Sequence, residues 1–377
     1  MAARQANIEV LAPPQNMIVP SCPHGPALLF EQYDRSSKTS RQFFACSAFR
    51  DKKECDLHVW ADEGAYKSTQ ISQHISHKQY RMRFRKFRAL PRNKRHVCCT
   101  CGLLLLPSEI SDHERQDHEM KRRVLLKDLR KPSFLFSPLD NNKTFAQYLF
   151  SPMTVDFLIG SIERLACYTH VLCVGAPRMH EEIQLRRRRG DSALTSMLLD
   201  LDERYAQLYS PGSFAKYNMF NHHFFEKSGR KRLEMFLKDA SQGALLLTDP
   251  PFGGMVEALV QSFVKISSMW QEIVGSPTAE RDVSIPMMWI FPYFLESRIV
   301  TSLPSLSMLD YKVDYDNHNL FNNNHKQKGS PVRIYTNIPS AQFQLPEEDG
   351  YWFCEPCQRF SAKENHHCRD CGTCPSK

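Results

Sequence analysis

The spacing of hydrophobic positions changes character near residue 130. Before it, apolar stretches are brief: Phe43 to Cys46 and Leu57 to Trp60 read as short strands between polar connections. From about 130 to 345, buried-type runs alternate with helical periods. Phe157 to Cys167 predicts a helix, followed by a strand at His170 to Gly175. Ser196 to Asp200 predicts a second strand, Ala215 to Phe220 a third and Ala244 to Thr248 a fourth. A long amphipathic helix follows from Met255 to about Val274, then a fifth strand at Pro286 to Phe294. Two late strands, Met308 to Asp314 and Pro331 to Thr336, are joined by a polar loop from Asn317 to Gly329. Strand–helix alternation ending in a hairpin predicts an α/β fold with an open sheet, mostly parallel with one antiparallel strand.

Ligands of such sheets bind at the carboxyl ends of the strands, where strand order reverses. Gly175-Ala176-Pro177 gives a tight turn after the first strand, where a nucleoside can approach the backbone. Asp200 ends the second strand and suits the two hydroxyls of a ribose. Asn218 and Met219 end the third and suit an adenine ring. The fourth runs directly into Asp249-Pro250-Pro251-Phe252-Gly253-Gly254. Asp-Pro-Pro-aromatic after a buried strand is the active-site signature of enzymes that methylate exocyclic amino groups. The amino lone pair of adenine is delocalised into its ring. Hydrogen bonds from the amino hydrogens to the Asp249 carboxylate and the Pro250 carbonyl draw it out of conjugation. Pro250 and Pro251 fix φ, and Phe252 offers a stacking face for a base lifted from its neighbours. Taken alone, four such residues also describe a strand ending in a proline turn.

Charge and cysteines add partners to this picture. The chain has 377 residues, a net charge of +8 and clustered positives. Arg81 to Arg88 interleaves bases with aromatics, Arg92 to His96 prolongs it, and Arg186 to Arg189 forms a second block. Such runs suit a phosphate backbone with exposed bases; a solvated linker or loop is the plainer reading. The first residues lack the apolar core of a secretory signal. No apolar run approaches the roughly 20 residues of a membrane span, so no membrane partner is expected and an intracellular protein is. In a reducing compartment, 13 cysteines grouped beside histidines point to zinc.

Ten of them fall into three clusters. Cys22, His24, Cys46 and Cys55 supply a tetrahedral set, as do Cys98, Cys101, His113 and His118. The second set serves equally as a staple between the first finger and the large domain. Cys99 is expected to be a bystander, and Cys167 and Cys173 ordinary core residues. The tail holds Cys354, Cys357, His367, Cys368, Cys371 and Cys374, too many ligands for one ion and too few for two.

Several resemblances follow. The first cluster resembles the GRF-type zinc finger, with His24 where many members carry a cysteine. The tail is similar to the first half of the cysteine-rich domain of palmitoyltransferases, without their Asp-His-His-Cys motif. That resemblance implies one site from Cys354, Cys357, His367 and Cys374. Cys368 and Cys371 then form half of another, expected to be disordered because a structural zinc supplies on the order of 10 kcal/mol of folding energy. The chain is accordingly expected to be a fragment.

The whole ordered set resembles the zinc-finger CCHC-domain ribosomal RNA adenine-N6 methyltransferase family. It comprises the two fingers, Ala146 to Phe150, Val171 to Gly175, Tyr217 to Phe225, Asp249 to Gly254, Trp289 to Phe294 and Asp310 to His318. The resemblance implies a Rossmann-like class I methyltransferase sheet with N-terminal zinc fingers and a C-terminal Cys-rich zinc-binding tail. It implies methyl transfer from S-adenosyl-L-methionine to an adenosine of large-subunit ribosomal RNA, in the nucleolus and also in the cytoplasm, with Zn2+ structural in about three sites. By it, Gln147, Tyr148, Leu149 and Phe150 embrace the methionine end of the cofactor, with Gly175, Pro177, Asp200, Asn218, Met219 and Asp249 completing its pocket. The implied order is a flexible 1–20, a GRF-type finger at 21–66, a basic linker at 67–96 and a second finger at 97–128. The methyltransferase domain follows at 130–345 and an incomplete Cys-rich segment at 350–377. Rival readings are an RNA-binding adaptor on an inactive methyltransferase fold, or an amino-methyltransferase acting on DNA or on protein glutamine.

Overall fold

The computed structural model describes residues 7–14, 16–34, 38–49, 51–63, 75–138, 147–275, 284–317, 330–370, 372 and 374. Its centre is an eight-stranded sheet whose principal strands are buried along nearly their whole length. These are β1 (His170–Val174), β2 (Thr195–Asp200), β3 (Phe214–Asn218), β4 (His223–Phe224), β5 (Ala244–Thr248), β6 (Met287–Pro292), β7 (Ser307–Leu309) and β8 (Val332–Thr336). Their spatial order is β4-β3-β2-β1-β5-β6-β8-β7. Strand order reverses at β1, which lies between β2 and β5 and is parallel to both. β2–β3 and β5–β6 are also parallel, whereas β8 runs antiparallel between β6 and β7. The two-residue β4, antiparallel to β3, was not foreseen.

Side chains alternate between two apolar layers, as a period of two requires. On one face Val171, Cys173, Leu245 and Leu247 pack against helices α1 (Pro152–Leu165) and α2 (Pro177–Arg189). On the other, Leu172, Val174, Leu246 and Trp289 pack against α3 (Lys227–Ala240) and α4 (Val256–Val274). Helix α1 starts five residues before its hydrophobic period suggests. Ser151 caps it by accepting from the Thr154 N–H at 3.2 Å, and Pro152 occupies its first turn. It ends at Ala166 in the left-handed region, which leaves Cys167 exposed rather than in the core. Cys173 is buried as expected.

The N-terminal parts are more ordered than the sequence suggested. Asn7–Leu11 is an edge strand paired with Leu28–Asp34, so the expectation of a flexible 1–20 is corrected over those residues. Thr39–Ala45 and His58–Trp60 complete this antiparallel sheet. The basic stretch expected as a linker contains the helix His77–Ala89, started by a capping box between Ser76 and Gln79. His77, Tyr80, Phe84 and Phe87 lie on its inner face. Arg83 forms a bidentate pair with Glu109 of the second finger at 2.6 and 2.7 Å, and Arg81 donates to the carbonyls of Gln207, Leu208 and Tyr209. Two of the run's arginines therefore bind the protein's own groups, while Arg85, Lys86 and Arg88 stay exposed. Buried Gln207 locks the second finger to the sheet domain: it accepts from the Leu104 N–H at 3.0 Å and donates to the Gly102 carbonyl at 2.7 Å. The tail is joined to the sheet through buried Asp310, which accepts from Arg333, the Ala362 N–H and Asn365.

Because Leu246 is fully buried at the centre of β5, Leu246→Ala is expected to cost about 3 kcal/mol of unfolding free energy. A calorimetric scan should show a clearly lowered melting transition for the sheet domain.

Candidate active site and zinc sites

Two backbone hydrogen bonds align the strand ends. The Asp249 N–H donates to the Val174 carbonyl at 3.1 Å, and the Gly175 N–H to the Leu199 carbonyl at 2.9 Å. They bring the turns after β1, β2 and β5 together at the floor of a cavity of about 850 Å3. Gly175 has φ of +65°, and a Cβ there would lie 2.5 Å from Met219 Cε and 3.1 Å from the Asp249 carbonyl oxygen. A larger residue would be strained at this φ and would have to displace the Met219 side chain and the Asp249 carbonyl.

The structure brings most of the expected site residues to this cavity. Gly175, Pro177, Asp200, Asn218, Met219, Asp249, Pro250, Pro251 and Phe252 line it, with Gln147 and Tyr148 from the segment before α1. Leu149 and Phe150 are buried beside it instead. The 147–150 segment runs antiparallel to 315–317: Phe150 is bridged to Tyr315, and the Leu149 carbonyl accepts from the Asp316 N–H at 2.8 Å, which draws these two residues into the core. Asn317 clasps that segment, accepting from the Leu149 N–H at 2.8 Å and donating to the Gln147 carbonyl at 2.7 Å.

Asp249 lies on the cavity floor, and its Oδ1 accepts a 2.8 Å hydrogen bond from the buried Tyr315 hydroxyl. Burial pushes its carboxyl well above the ordinary carboxylate range, and the Tyr315 hydroxyl pulls it partly back. Around it stand aromatic rings: Tyr148 stacks on Phe252 at 5.3 Å and 27°, and Tyr315 on Phe150 at 5.2 Å and 29°. A planar ring entering from above therefore meets aromatic faces beside a carboxylate. Asp200 accepts the Asp202 N–H at 2.9 Å, and burial together with the Asp202 carboxylate pushes its carboxyl up to about 7. Asp202 is itself paired with Arg204 at 2.7 Å, which also donates to Gln147.

Tyr315, Asp202 and Arg204 carried no role in the sequence reading. Tyr315 stands 66 positions after Asp249, inside the 310–318 motif but with no role assigned to it there; its pairing with Phe150 brings it to the site. Also unforeseen are Pro23, His24, Phe49 and Glu54 of the first finger and Cys99, Thr100 and Glu119 of the second, which form part of the cavity wall. Cys99 lies outside the set formed by Cys98, Cys101, His113 and His118, and it borders the cleft.

Three ligand sets converge. Cys22, His24, Cys46 and Cys55 bring their donor atoms within 4.8 Å of one another, as do Cys98, Cys101, His113 and His118, and Cys354, Cys357, His367 and Cys374. Sulfur and imidazole donors in fours fit a closed tetrahedral zinc site. In the third set, His367 Nδ1 lies 3.2 Å from Cys357 Sγ, and the sulfurs of Cys357 and Cys374 are 3.7 Å apart. Cys371 lies outside the described residues, so its pairing with Cys368 remains an expectation of the sequence.

A family model described as probable N6-adenine methyltransferase matches residues 141–340, which include the strand-end residues of this cavity. A human protein named rRNA N(6)-adenosine-methyltransferase ZCCHC4 is 44% identical over 389 residues, covering 99% of this chain and 74% of its own. The mouse protein of that name is 43% identical over 383 residues, covering 97% and 73%, and that of Xenopus laevis is 43% identical over 361 residues, covering 92% and 72%. The chain belongs to the rRNA N(6)-adenosine-methyltransferase family. The methyltransferase has no helix among its described residues that is long and apolar enough to cross a membrane.

Metal analysis of the purified methyltransferase is expected to give three zinc ions per chain. Cys46→Ser should lower that to two without displacing metal from the other two sets.

Proposed function

We propose that the methyltransferase transfers a methyl group from S-adenosyl-L-methionine to the N6 amino group of an adenosine in large-subunit ribosomal RNA, acting in the nucleolus. The observation that carries this reading is the half-buried Asp249 carboxylate, fixed at the cleft floor by a strand end and by Tyr315, beside the stacked Tyr148 and Phe252 rings. The names of the relatives support adenosine of ribosomal RNA as the acceptor.

When bound, the donor supplies an electrophilic methyl group. The chain's own residues supply orientation. Asp200 accepts the ribose hydroxyls of the donor, and Gly175 lets its backbone come close. Met219 and Asn218 border the adenine end, while Gln147 and Tyr148 border the methionine end. Phe252, backed by the Tyr148 ring, offers a stacking face for the flipped target base. With Asp249 Oδ1 committed to Tyr315, the other carboxylate oxygen and the Pro250 carbonyl accept the two amino hydrogens. Those bonds strengthen as the nitrogen becomes tetrahedral, so they favour the transition state over the ground state. The zinc sites hold the fingers and take no part in the chemistry. An adenine paired in a helix hides this amino edge, so the substrate adenosine is unpaired or lifted out.

Asp249→Ala and Asp249→Asn are each expected to lower single-turnover methyl transfer by about 100-fold or more, while RNA retention on a filter changes less than about twofold. Equal loss of both would mean that Asp249 serves the fold. A labelled-methyl assay on RNA, DNA and protein from one extract tests the acceptor; label in protein or DNA alone would overturn it.

The elevated Asp200 carboxyl gives a pH dependence with a definite sign. Ribose hydroxyls donate to the ionised form, so donor binding must release the proton held below pH 7. Affinity for S-adenosylhomocysteine should be about tenfold weaker at pH 6 than at pH 8, level above that, and flat and weak in Asp200→Asn. Binding is the measurement to use, because burial also raises Asp249 and activity mixes the two.

A further inference from the structure

The turn after β3 is held by the first finger, and it is held at the zinc ligands. Asn218 is buried, and its side-chain amide donates to the His24 carbonyl at 3.0 Å and to Ser47 Oγ at 2.8 Å. Its Oδ1 accepts the Phe220 N–H at 3.0 Å, which closes the turn. Asn221 repeats the arrangement. It donates to the Pro26 carbonyl and to Ser47 Oγ, both at 2.8 Å, and its Oδ1 accepts the His223 N–H at 3.1 Å. His24 is a ligand of the first set, Ser47 follows the ligand Cys46, and Pro26 lies two residues after His24. The knuckle itself is tightly fitted: Gly25 has φ of +100°, and a Cβ there would sit 2.7 Å from the His223 ring. Leu201, next to Asp200, packs in one apolar cluster with Cys22, Cys46 and Phe49. Both strand-end turns that border the donor's nucleoside end therefore rest on residues that are, or directly adjoin, the ligands of the first set. An asparagine amide oriented by two finger acceptors is not free to rotate toward a ligand, so its role is to place the turn.

We infer that the first zinc knuckle is a structural wall of the methyl-donor pocket, with Asn221 as the positioning residue that joins them, so that loosening the knuckle weakens donor binding. This rests on the donor pocket proposed above. Asn221 does not border the cavity, and neither does Ser47, which separates placement from direct contact. In this arrangement the finger serves the cofactor side of the reaction as well as any nucleic acid.

The test is calorimetric titration of the full-length, zinc-loaded chain with S-adenosylhomocysteine, together with zinc content and a melting curve without ligand. Asn221→Asp keeps the acceptor for His223 and removes the donors to the knuckle; Ser47→Ala removes the shared acceptor from the finger side and is the milder change. Both are expected to bind S-adenosylhomocysteine about fivefold to tenfold more weakly, the scale of one buried hydrogen bond, while retaining three zinc ions. Affinity within twofold of the parent in both variants overturns the inference. If Asn221→Asp fails to fold, Ser47→Ala decides alone. If the unaltered protein does not bind the ligand at all, it is the pocket assignment that fails, and the two failures are thereby told apart.

Discussion

The hydrogen bond from the Asp249 N–H to the Val174 carbonyl continues the β1–β5 ladder one residue past the strands. Because the two strands are parallel and in register, that single bond fixes Asp249 directly against Gly175. Everything chemical in the cleft is measured from this point. A shift of β5 by one residue would exchange its two faces, sending Asp249 toward a helix layer and Thr248 toward the cavity. The register is secured by the fully buried alternation of Leu245, Leu246 and Leu247 between two apolar layers. The place of Asp249 is thus held by the packing of the strand beneath it.

Around that point, the polar groups are arranged so that each buried charge has a defined neighbour. Asp249 has Tyr315, Asp202 has Arg204, and Asp310 has Arg333 and Asn365. Asp200 is the exception: its protein donors are the backbone N–H groups of Leu201 and Asp202, with no side chain among them, and a second carboxylate stands nearby. That leaves capacity for an external donor pair, which is what a ribose diol offers. The raised carboxyls of Asp200 and Asp249 have different partners, so in the proposed reaction donor binding and transfer would be tuned separately.

Strand-level features were legible in the sequence because they are local. β5 matches its expected bounds, and the acids at the ends of β2 and β5 stand where the pattern puts them. The first two zinc sets followed from ligand spacing, and the third, with His367 rather than His366, from the resemblance of the tail to a palmitoyltransferase cysteine-rich domain. Helices α2 and α3 were missed because their exposed faces carry long runs of arginine and lysine, leaving few apolar positions to set a period. The basic-aromatic run at 81–88 read as a linker because its charge hid a narrow inner stripe of His77, Tyr80, Phe84 and Phe87. Tyr315, Asn221 and the finger residues of the cavity wall were not legible. Each acquires its place through contacts between segments tens to hundreds of residues apart, which no local pattern records.

The His77–Ala89 helix has one more consequence. It holds a dense succession of trypsin-type cleavage points, yet Arg81 and Arg83 have their guanidinium groups engaged by Tyr209, Leu104 and Glu109. A protease must draw its target into an extended strand, and here that means tearing the helix off both the second finger and the sheet domain. The segment that composition marks as the most fragile in the chain is, by this bonding, a rivet between two of its parts.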